Sequence, residues 1–159
     1  MDYVIHPRWL GMHGDILVER AGGELLYVVK ASQRYRRHWP VLDAAGNEML
    51  HVDMLSRTFS TGYRIRSGEH LVGEAGSRGC MSEGYVNAAD LPMVHCRFGW
   101  WGMMPLKLLT ATGDDHVATL TSRWGLRFRF PLQLHDDAFD QPAFLVGCSL
   151  VVRDYLRRG

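Results

Sequence analysis

Cysteine is scarce in this chain of 159 residues, and neither sign of charge dominates. The three cysteines, Cys80, Cys96 and Cys148, are odd in number and form no C-x-x-C pair, which argues against a disulfide framework and against a thiolate zinc site. Eighteen basic residues oppose 17 acidic ones, so the formal net charge is +1. A chain with so little net charge does not attract nucleic acid as a whole, and no nucleic-acid partner is expected. Any anion site must come from a local patch.

The chain also lacks a long apolar run. Its longest apolar stretch, residues 143–152, has ten residues even when Gly147 and Ser149 are counted, whereas a membrane-spanning helix needs about 20. The N-terminus has no cationic segment followed by an apolar one, so we expect no signal peptide. Unpaired cysteines fit a reducing compartment. These features predict a cytoplasmic protein that is, at most, peripheral at a membrane.

Familiar catalytic and metal-binding motifs are missing. The eight histidines form no H-x-x-x-H, H-x-H or H-E-x-x-H pattern, and the adjacent His95 and Cys96 would point to opposite faces of a strand. There is no G-x-S-x-G motif. The aspartate pairs at 114–115 and 136–137 suit either a cation site or the local hydrogen bonding of turns, and each flanks a predicted turn. We therefore expect no enzymatic activity, no metal and no cofactor.

The sequence does contain a repeated hairpin pattern. Four segments each consist of an alternating apolar run, a glycine turn and a second such run. The turn glycines are Gly23, Gly46, Gly68 and Gly113, at steps of 23, 22 and 45 residues. The last step is about twice the others, which indicates a degenerate turn near residues 89–90. Each unit predicts a β-hairpin.

Alternation within the strands predicts one buried and one solvated face. In residues 126–134, leucine and phenylalanine alternate with arginine, proline and glutamine. Pro131 falls in the outward row, where its missing N–H predicts an edge position or a bulge. Residues 50–54 and 63–66 repeat the alternation. About a dozen such runs are too many for a flat sheet, so a closed barrel or a sandwich is expected.

The C-terminal segment predicts a helix over about residues 142–156. Asp140 is a candidate N-cap, and Pro142 suits the first helical turn. The apolar residues of this segment surround the whole helix instead of forming a stripe, which predicts burial on every side. The interior of a β-barrel provides such burial.

A meander of hairpins followed by one helix that is apolar all round resembles the LURP-one-related family, within the tubby C-terminal-like group that also contains phospholipid scramblases. The likeness runs from about Gly23 to Tyr155. The residues that carry it are 26–30, 41–50, 63–66 and 144–154. The resemblance implies a single domain over residues 1–159: mainly β, a closed antiparallel barrel of about twelve strands around a central hydrophobic helix. Activities in the family include phosphoinositide binding by tubby proteins, proposed lipid scrambling, and largely unassigned roles in plant and bacterial members. The proline-rich, cysteine-rich and trailing apolar segments of scramblases are missing here, which argues against scramblase activity.

A basic stretch is the strongest candidate site. If the strand that begins at Leu25 continues past Lys30, then Lys30, Arg34, Arg36 and His38 share one face. Arginine suits bidentate contacts with phosphate, and 16 of the 18 basic residues are arginine. These four residues are candidates for binding the headgroup of an anionic phospholipid. The alternative interpretation is a basic outer face that contacts only solvent.

A second candidate is the uncharged segment Phe98–Met104, which holds two tryptophans, two methionines and two glycines. Phe98, Trp100, Trp101 and Met103 suit contact with a membrane interface or a protein partner, although core packing uses the same residue types.

We therefore expect a non-enzymatic barrel that binds anionic phospholipid headgroups at a membrane surface. The alternative is a protein-interaction or scaffold module, including a homo-oligomer, that acts through the Phe98–Met104 segment. A third hypothesis, a lipocalin-like barrel with an apolar ligand in its lumen, is opposed by the helix expected to fill that lumen.

Overall fold

The computed structural model describes residues 1–8, 14–31, 38–56, 61–78, 83–97, 106–110, 115–121 and 129–158. These residues form twelve strands, one turn of 3-10 helix and one α-helix. In chain order, the elements are β1 Asp2–Pro7, β2 Ile16–Arg20, β3 Leu25–Val29, β4 His38–Asp43, β5 Glu48–Ser56, β6 Thr61–Ser67, β7 His70–Arg78, β8 Glu83–Ala88, β9 Val94–Arg97, β10 Leu106–Thr110, β11 His116–Leu120, β12 Phe130–Leu134, the 3-10 turn Asp137–Phe139 and α1 Pro142–Arg158.

The strands form a closed antiparallel meander. Each strand pairs with the next one in sequence, and β1 pairs with β12, which closes the barrel. The predicted closed barrel of about twelve strands is confirmed. Closure also satisfies the backbone hydrogen bonds that an open sheet leaves exposed at its edges.

The expected edge or bulge at Pro131 is wrong, because β12 is paired on both sides and its described registers show no irregularity. The Thr121 N–H donates to the Pro131 carbonyl oxygen across 2.9 Å. Since the N–H and C=O groups of a strand residue point the same way, the missing N–H of Pro131 faces Thr121, just beyond the last residue of β11. The barrel therefore accepts this proline where the β11–β12 ladder ends.

The predicted glycine turns are confirmed at three positions. Gly23, Gly46 and Gly68 have φ values of 89°, 88° and 59°, a region that residues with a Cβ rarely adopt. At the degenerate turn between β8 and β9, Asp90 takes the same left-handed conformation with φ of 65°. Aspartate is one of the few other residues that tolerate it. Gly113 lies outside the described residues, but the strands on either side of it pair as expected.

The alternation of strand faces is also confirmed. On β12, Phe130, Leu132 and Leu134 are buried, whereas Gln133 is exposed. On β6, Tyr63 and Ile65 are buried, whereas Arg64 is exposed. The inward rows of the strands form one core with the helix.

The helix α1 lies inside the barrel, as predicted. All residues from Ala143 to Val152 are buried, and the helix packs most closely against β7 and β8. Small residues permit this approach, since a Cβ added at Gly147 would lie 2.5 Å from Cγ1 of Val86. The lumen is therefore filled by the protein's own side chains.

The expected N-cap is wrong by one residue. The helix begins at Pro142, and the Gln141 carbonyl oxygen accepts the first helical hydrogen bond from the Leu145 N–H across 3.0 Å. Asp140 instead accepts a hydrogen bond from the Tyr3 hydroxyl, which ties the start of the helix to β1.

Candidate functional site

The two ends of the barrel differ in how their strands are connected. At one end lie the short turns that follow β2, β4, β6, β8 and β10, together with the start of α1. We call this the turn end. The segments that follow β1, β3, β5, β7, β9 and β11 begin and end at the opposite end, where α1 also finishes. We call this the loop end.

The turn end is acidic. We counted the described charged residues in its half of the barrel and left out those at the centres of strands. This half contains eleven acidic side chains and two arginines, Arg20 and Arg66. The acidic residues are Asp2, Glu19, Glu24, Asp43, Glu48, Glu69, Asp90, Asp115, Asp136, Asp137 and Asp140. Aspartate favours turns because its side chain bonds to nearby backbone N–H groups, as the Asp43 carboxylate does with the Asn47 N–H at 2.8 Å.

The loop end is basic. Seven basic residues have described side chains in its half of the barrel, against the four acidic residues Asp15, Asp53, Glu83 and Asp154. The seven are Arg8, Lys30, Arg78, Arg97, Lys107, Arg129 and Arg153. The segments of sequence that connect strands at this end and lie outside the described residues contain six more arginines and no acidic residue. A chain of nearly zero net charge is thus divided into two oppositely charged ends.

Two of the four predicted headgroup residues are described, and both lie at the loop end. The expectation that one strand carries all four is wrong, because β3 ends at Val29 and the Ala31 N–H folds back onto the Val29 carbonyl oxygen at 2.9 Å. Lys30 follows β3, and His38 begins β4. Arg34 and Arg36 lie outside the described residues.

Lys30 and His38 are each paired with an aspartate. Lys30 Nζ lies 2.8 Å from Asp15 Oδ2, and His38 Nδ1 contacts Asp53 Oδ1. Arg66 Nε donates to the other oxygen of Asp53 across 3.0 Å. Burial opposes ionisation of Asp53, but the hydrogen bonds and positive charges of its partners outweigh burial and lower its pKa. Each of these two predicted residues therefore has an acidic partner in the fold.

Five further described cations are exposed at the rim of the loop end. The Arg97 side chain is 86% exposed, and its Nε lies 3.5 Å from Glu83. Arg78 lies 4.9 Å above the ring of Tyr85. Arg8, Lys107 and Arg129 are also exposed. Sequence analysis missed these residues because they are scattered along the chain and meet only after the barrel closes.

The predicted contact residues Phe98, Trp100, Trp101 and Met103 lie outside the described residues. The strand ends that flank them, at Arg97 and Leu106, both lie at the loop end. This is the end from which the predicted basic stretch also departs. Four of the five tryptophans of the chain belong to segments that connect strands at this end.

A buried polar cluster lies below the loop end, near the end of α1. The side chain of Asp154 is buried, and it accepts hydrogen bonds from the Tyr63 hydroxyl at 2.5 Å and the Ser77 hydroxyl at 3.4 Å. Burial and the negative charge of Asp154 raise the pKa of Tyr63, so its hydroxyl stays protonated and able to donate. This cluster fastens the helix to β6 and β7.

Arg153 extends the same cluster to β4. Its Nη1 donates to the Tyr63 hydroxyl oxygen across 3.0 Å, and its guanidinium lies 4.5 Å from the centre of the Trp39 ring. A cation over an aromatic face contributes about 0.5–2 kcal/mol. The sequence signal for this cluster was one acidic residue on a helix expected to be buried on every side.

Two histidines share a threonine on the outer surface of β11 and just after β12. Thr119 Oγ1 lies 3.0 Å from Nε2 of His116 and 2.8 Å from Nε2 of His135. The hydroxyl can donate to one ring and accept from the other. Within the part of the chain that the structure describes, no group of three or more His, Cys, Asp or Glu residues is arranged to hold a metal ion.

This arrangement predicts a loss of stability in mild acid. Burial and the nearby His135 lower the pKa of His116, so the folded state favours its neutral form. The stability that the folded state gains by keeping His116 neutral is fully present above the ordinary histidine pKa of about 6.5. It declines as the pH falls below that value. We expect the unfolding free energy to fall less between pH 7 and pH 5 in His116→Asn than in the wild type, by urea denaturation. Equal slopes in the variant and the wild type would contradict this prediction.

Cys96 and Cys148 are free, buried thiols. Burial raises the pKa of Cys96 to about 12 and that of Cys148 further still, so both remain protonated at neutral pH. Among the described residues, no helix has both the length and the apolar character needed to cross a bilayer.

Comparison with known proteins adds support for the fold. Neither a protein family nor a curated protein matches the sequence. A crystal structure of an Arabidopsis thaliana protein is similar to this barrel, with a TM-score of 0.61 and 14% sequence identity. The similarity covers 99% of this chain and 92% of that one. At this identity, the comparison shows a shared fold and carries no activity with it.

Proposed function

We propose that this protein is a non-enzymatic barrel of the tubby C-terminal-like, LURP-one-related kind that binds anionic phospholipid headgroups through its loop end. The observation that carries the proposal is the separation of charge between the two ends of the barrel. Basic residues attract the anionic lipids of a membrane surface, by about 1 kcal/mol for each one near the surface. The acidic turn end would be repelled and would face away.

The filled lumen supports an external binding surface. The helix occupies the space in which a lipocalin-like barrel holds its ligand, and its residues from Ala143 to Val152 are buried. A ligand therefore has to bind outside the barrel wall or at one of its ends. Of the two ends, the loop end has the charge that phosphate requires.

The aromatic composition of the loop-end connections supports a membrane in particular. Tryptophan beside basic residues is typical of segments that lie at the boundary between lipid and water. Trp100 and Trp101, with Phe98 and Met103, fit this role. Their contact with a protein partner remains the competing hypothesis, and the experiment below distinguishes the two.

Vesicle co-sedimentation tests the proposal. We expect the wild type to sediment with phosphatidylcholine vesicles that contain about one third phosphatidylserine, and not with phosphatidylcholine alone. Each of two double variants, Arg34→Glu with Arg36→Glu and Lys107→Glu with Arg129→Glu, should weaken binding at least about thirtyfold, because each removes two attractive charges and adds two repulsive ones.

The matched control reverses the same number of charges away from the loop end, in Arg20→Glu with Arg64→Glu. We expect this variant to bind as the wild type does. Equal sedimentation with neutral and anionic vesicles would overturn the proposal, as would equal losses in control and loop-end variants. A dimer detected by light scattering that is lost in Trp100→Ala with Trp101→Ala, without any vesicle binding, would favour the protein-interaction hypothesis.

A further inference from the structure

The described cations of the loop end come from strands on opposite sides of the barrel. In the order of strands around the barrel, Arg8 follows β1, Arg129 precedes β12, Lys107 lies on β10, and Arg97 ends β9. Arg78 ends β7, and Lys30 follows β3 on the far side of the barrel. We call these six residues the rim cations.

The rim cations as a set are too far apart for all of them to bind one phosphate. Lys30 and Arg97 belong to strands that are six positions apart in either direction around a twelve-stranded barrel. Because strands lie about 4.8 Å apart, these residues stand on opposite sides of an opening about 20 Å wide. A phosphate accepts hydrogen bonds only from donors within about 3 Å.

The local contacts of the rim cations involve different partners. Lys30 pairs with Asp15 at 2.8 Å, Arg97 pairs with Glu83 at 3.5 Å, and Arg78 stacks on Tyr85. None of these three contacts shares a partner with another. A pocket for one headgroup would need several cations aimed at one point. The rim arginines Arg78 and Arg97 both stand opposite Glu83 on β8, so a carboxylate already lies between them in the sheet.

We infer that the loop end recognises the plane of negative charge of an anionic lipid leaflet and does not select one headgroup. This inference rests on the proposed function and specifies its ligand: any lipid of sufficient surface charge. The barrel docks end-on, with the rim cations over the leaflet and the eleven acidic residues of the turn end directed away from it. Repulsion of the turn end makes the opposite orientation unfavourable.

Vesicles of matched surface charge test the inference. We expect equal affinity for vesicles that carry phosphatidylserine, phosphatidylglycerol or phosphatidylinositol bisphosphate once their zeta potentials have been made equal. Soluble inositol trisphosphate should not compete at millimolar concentration. The salt dependence should be steep, because exposed charges interact through solvent.

Single neutralising substitutions around the rim provide the second readout. Arg8→Gln, Arg78→Gln and Lys107→Gln should each weaken binding by a similar factor, about fivefold, because each removes one charge from the same plane. Arg20→Gln at the turn end is the control and should leave binding unchanged. Thermal unfolding of each variant, expected to match the wild type because these side chains are exposed, verifies that the barrel is folded.

The outcomes separate this inference from the proposed function. Binding to only one of the charge-matched vesicles, competition by inositol trisphosphate, or a loss confined to one rim variant would show a headgroup pocket and would overturn this inference alone. No binding to any anionic vesicle would overturn both. Tighter binding to a DNA duplex than to charge-matched vesicles would also overturn it, because the same cations would then serve a different polyanion.

Discussion

Replacing Leu150 by aspartate is expected to prevent the chain from folding. Leu150 is fully buried in the middle of α1, inside the barrel. Burying an ionised carboxylate without a partner costs several kcal/mol even after relaxation, which is comparable with the total stability of about 5–15 kcal/mol of a small domain. We expect Leu150→Asp to show no cooperative transition in urea when followed by tryptophan fluorescence.

The control for this experiment keeps the volume and changes only the shape. Leu150→Met should fold and lose less than about 1.5 kcal/mol, because methionine adapts to the same space. A cooperative transition in Leu150→Asp close to that of Leu150→Met would mean that position 150 contacts water. That result would remove the helix from the interior of the barrel.

One turn later on the same helix, a native carboxylate is buried, and its removal is expected to destabilise the protein strongly. Asp154 accepts hydrogen bonds from Tyr63 and Ser77, and Arg153 contacts the same tyrosine. In Asp154→Ala, the Tyr63 hydroxyl loses its acceptor, while the positive charge of Arg153 loses the nearby negative one. We expect a loss of about 2–5 kcal/mol in unfolding free energy, measured by urea denaturation.

Two further variants show whether the hydrogen bond or the charge is responsible. Asp154→Asn keeps an acceptor for the Tyr63 hydroxyl and should cost less than Asp154→Ala. A double-mutant cycle of Asp154→Ala with Tyr63→Phe should give a coupling energy above about 0.5 kcal/mol. The exposed residue Asp137 provides the control Asp137→Ala, expected within about 0.5 kcal/mol of the wild type. An equally small effect at position 154 would contradict the role of the cluster as a fastening point.

The contrast between positions 150 and 154 explains how a helix that is apolar all round can end correctly inside a barrel. Leu150 is fully buried in the hydrophobic core, an environment that disfavours a charge. At Asp154 the start of β6 and the end of β7 supply hydroxyl groups. The buried carboxylate thereby fixes the rotation of the helix about its axis, as well as its depth in the barrel.

The fold was predictable from the sequence because its signals are local and regular. Turns at Gly23, Gly46 and Gly68 need a backbone conformation that glycine supplies, and strict alternation on strands such as β12 specifies which face is buried. The two errors, at Pro131 and Asp140, arose where a rule based on neighbouring residues did not hold in the folded barrel. Pro131 suggests an edge only in a sheet that has edges. Asp140 lies one residue too early to cap a helix that begins at Pro142, and it bonds instead to Tyr3, far away in the sequence.

The candidate site was only partly predictable, because its charges are distributed over the whole chain. Lys30 and His38 were found because they lie in one short basic stretch. Arg8, Lys107 and Arg129 were not found, since no window of sequence contains them together. A signal was nevertheless present: once the hairpins are assigned, acidic residues concentrate in the glycine turns and arginines in the alternate connections.

The near-neutral composition was misleading for the same reason. A net charge of +1 argues against attraction of anions by the molecule as a whole. It does not limit the field at one end of the molecule when the opposite charges are collected at the other end. The topology of an up-and-down barrel provides this sorting, because successive connections alternate between its two ends.

Hydrogen–deuterium exchange with and without anionic vesicles tests the whole account most directly. The account predicts that amides of residues 146–152 exchange only through global unfolding in both samples, because α1 lies inside the barrel. On adding vesicles, amides at the loop-end strand termini, near Arg97, Lys107 and Arg129, should gain protection, while those near Gly23 and Gly46 at the turn end should not change. Rapid exchange within 146–152, or protection gained first at the turn end, would contradict it.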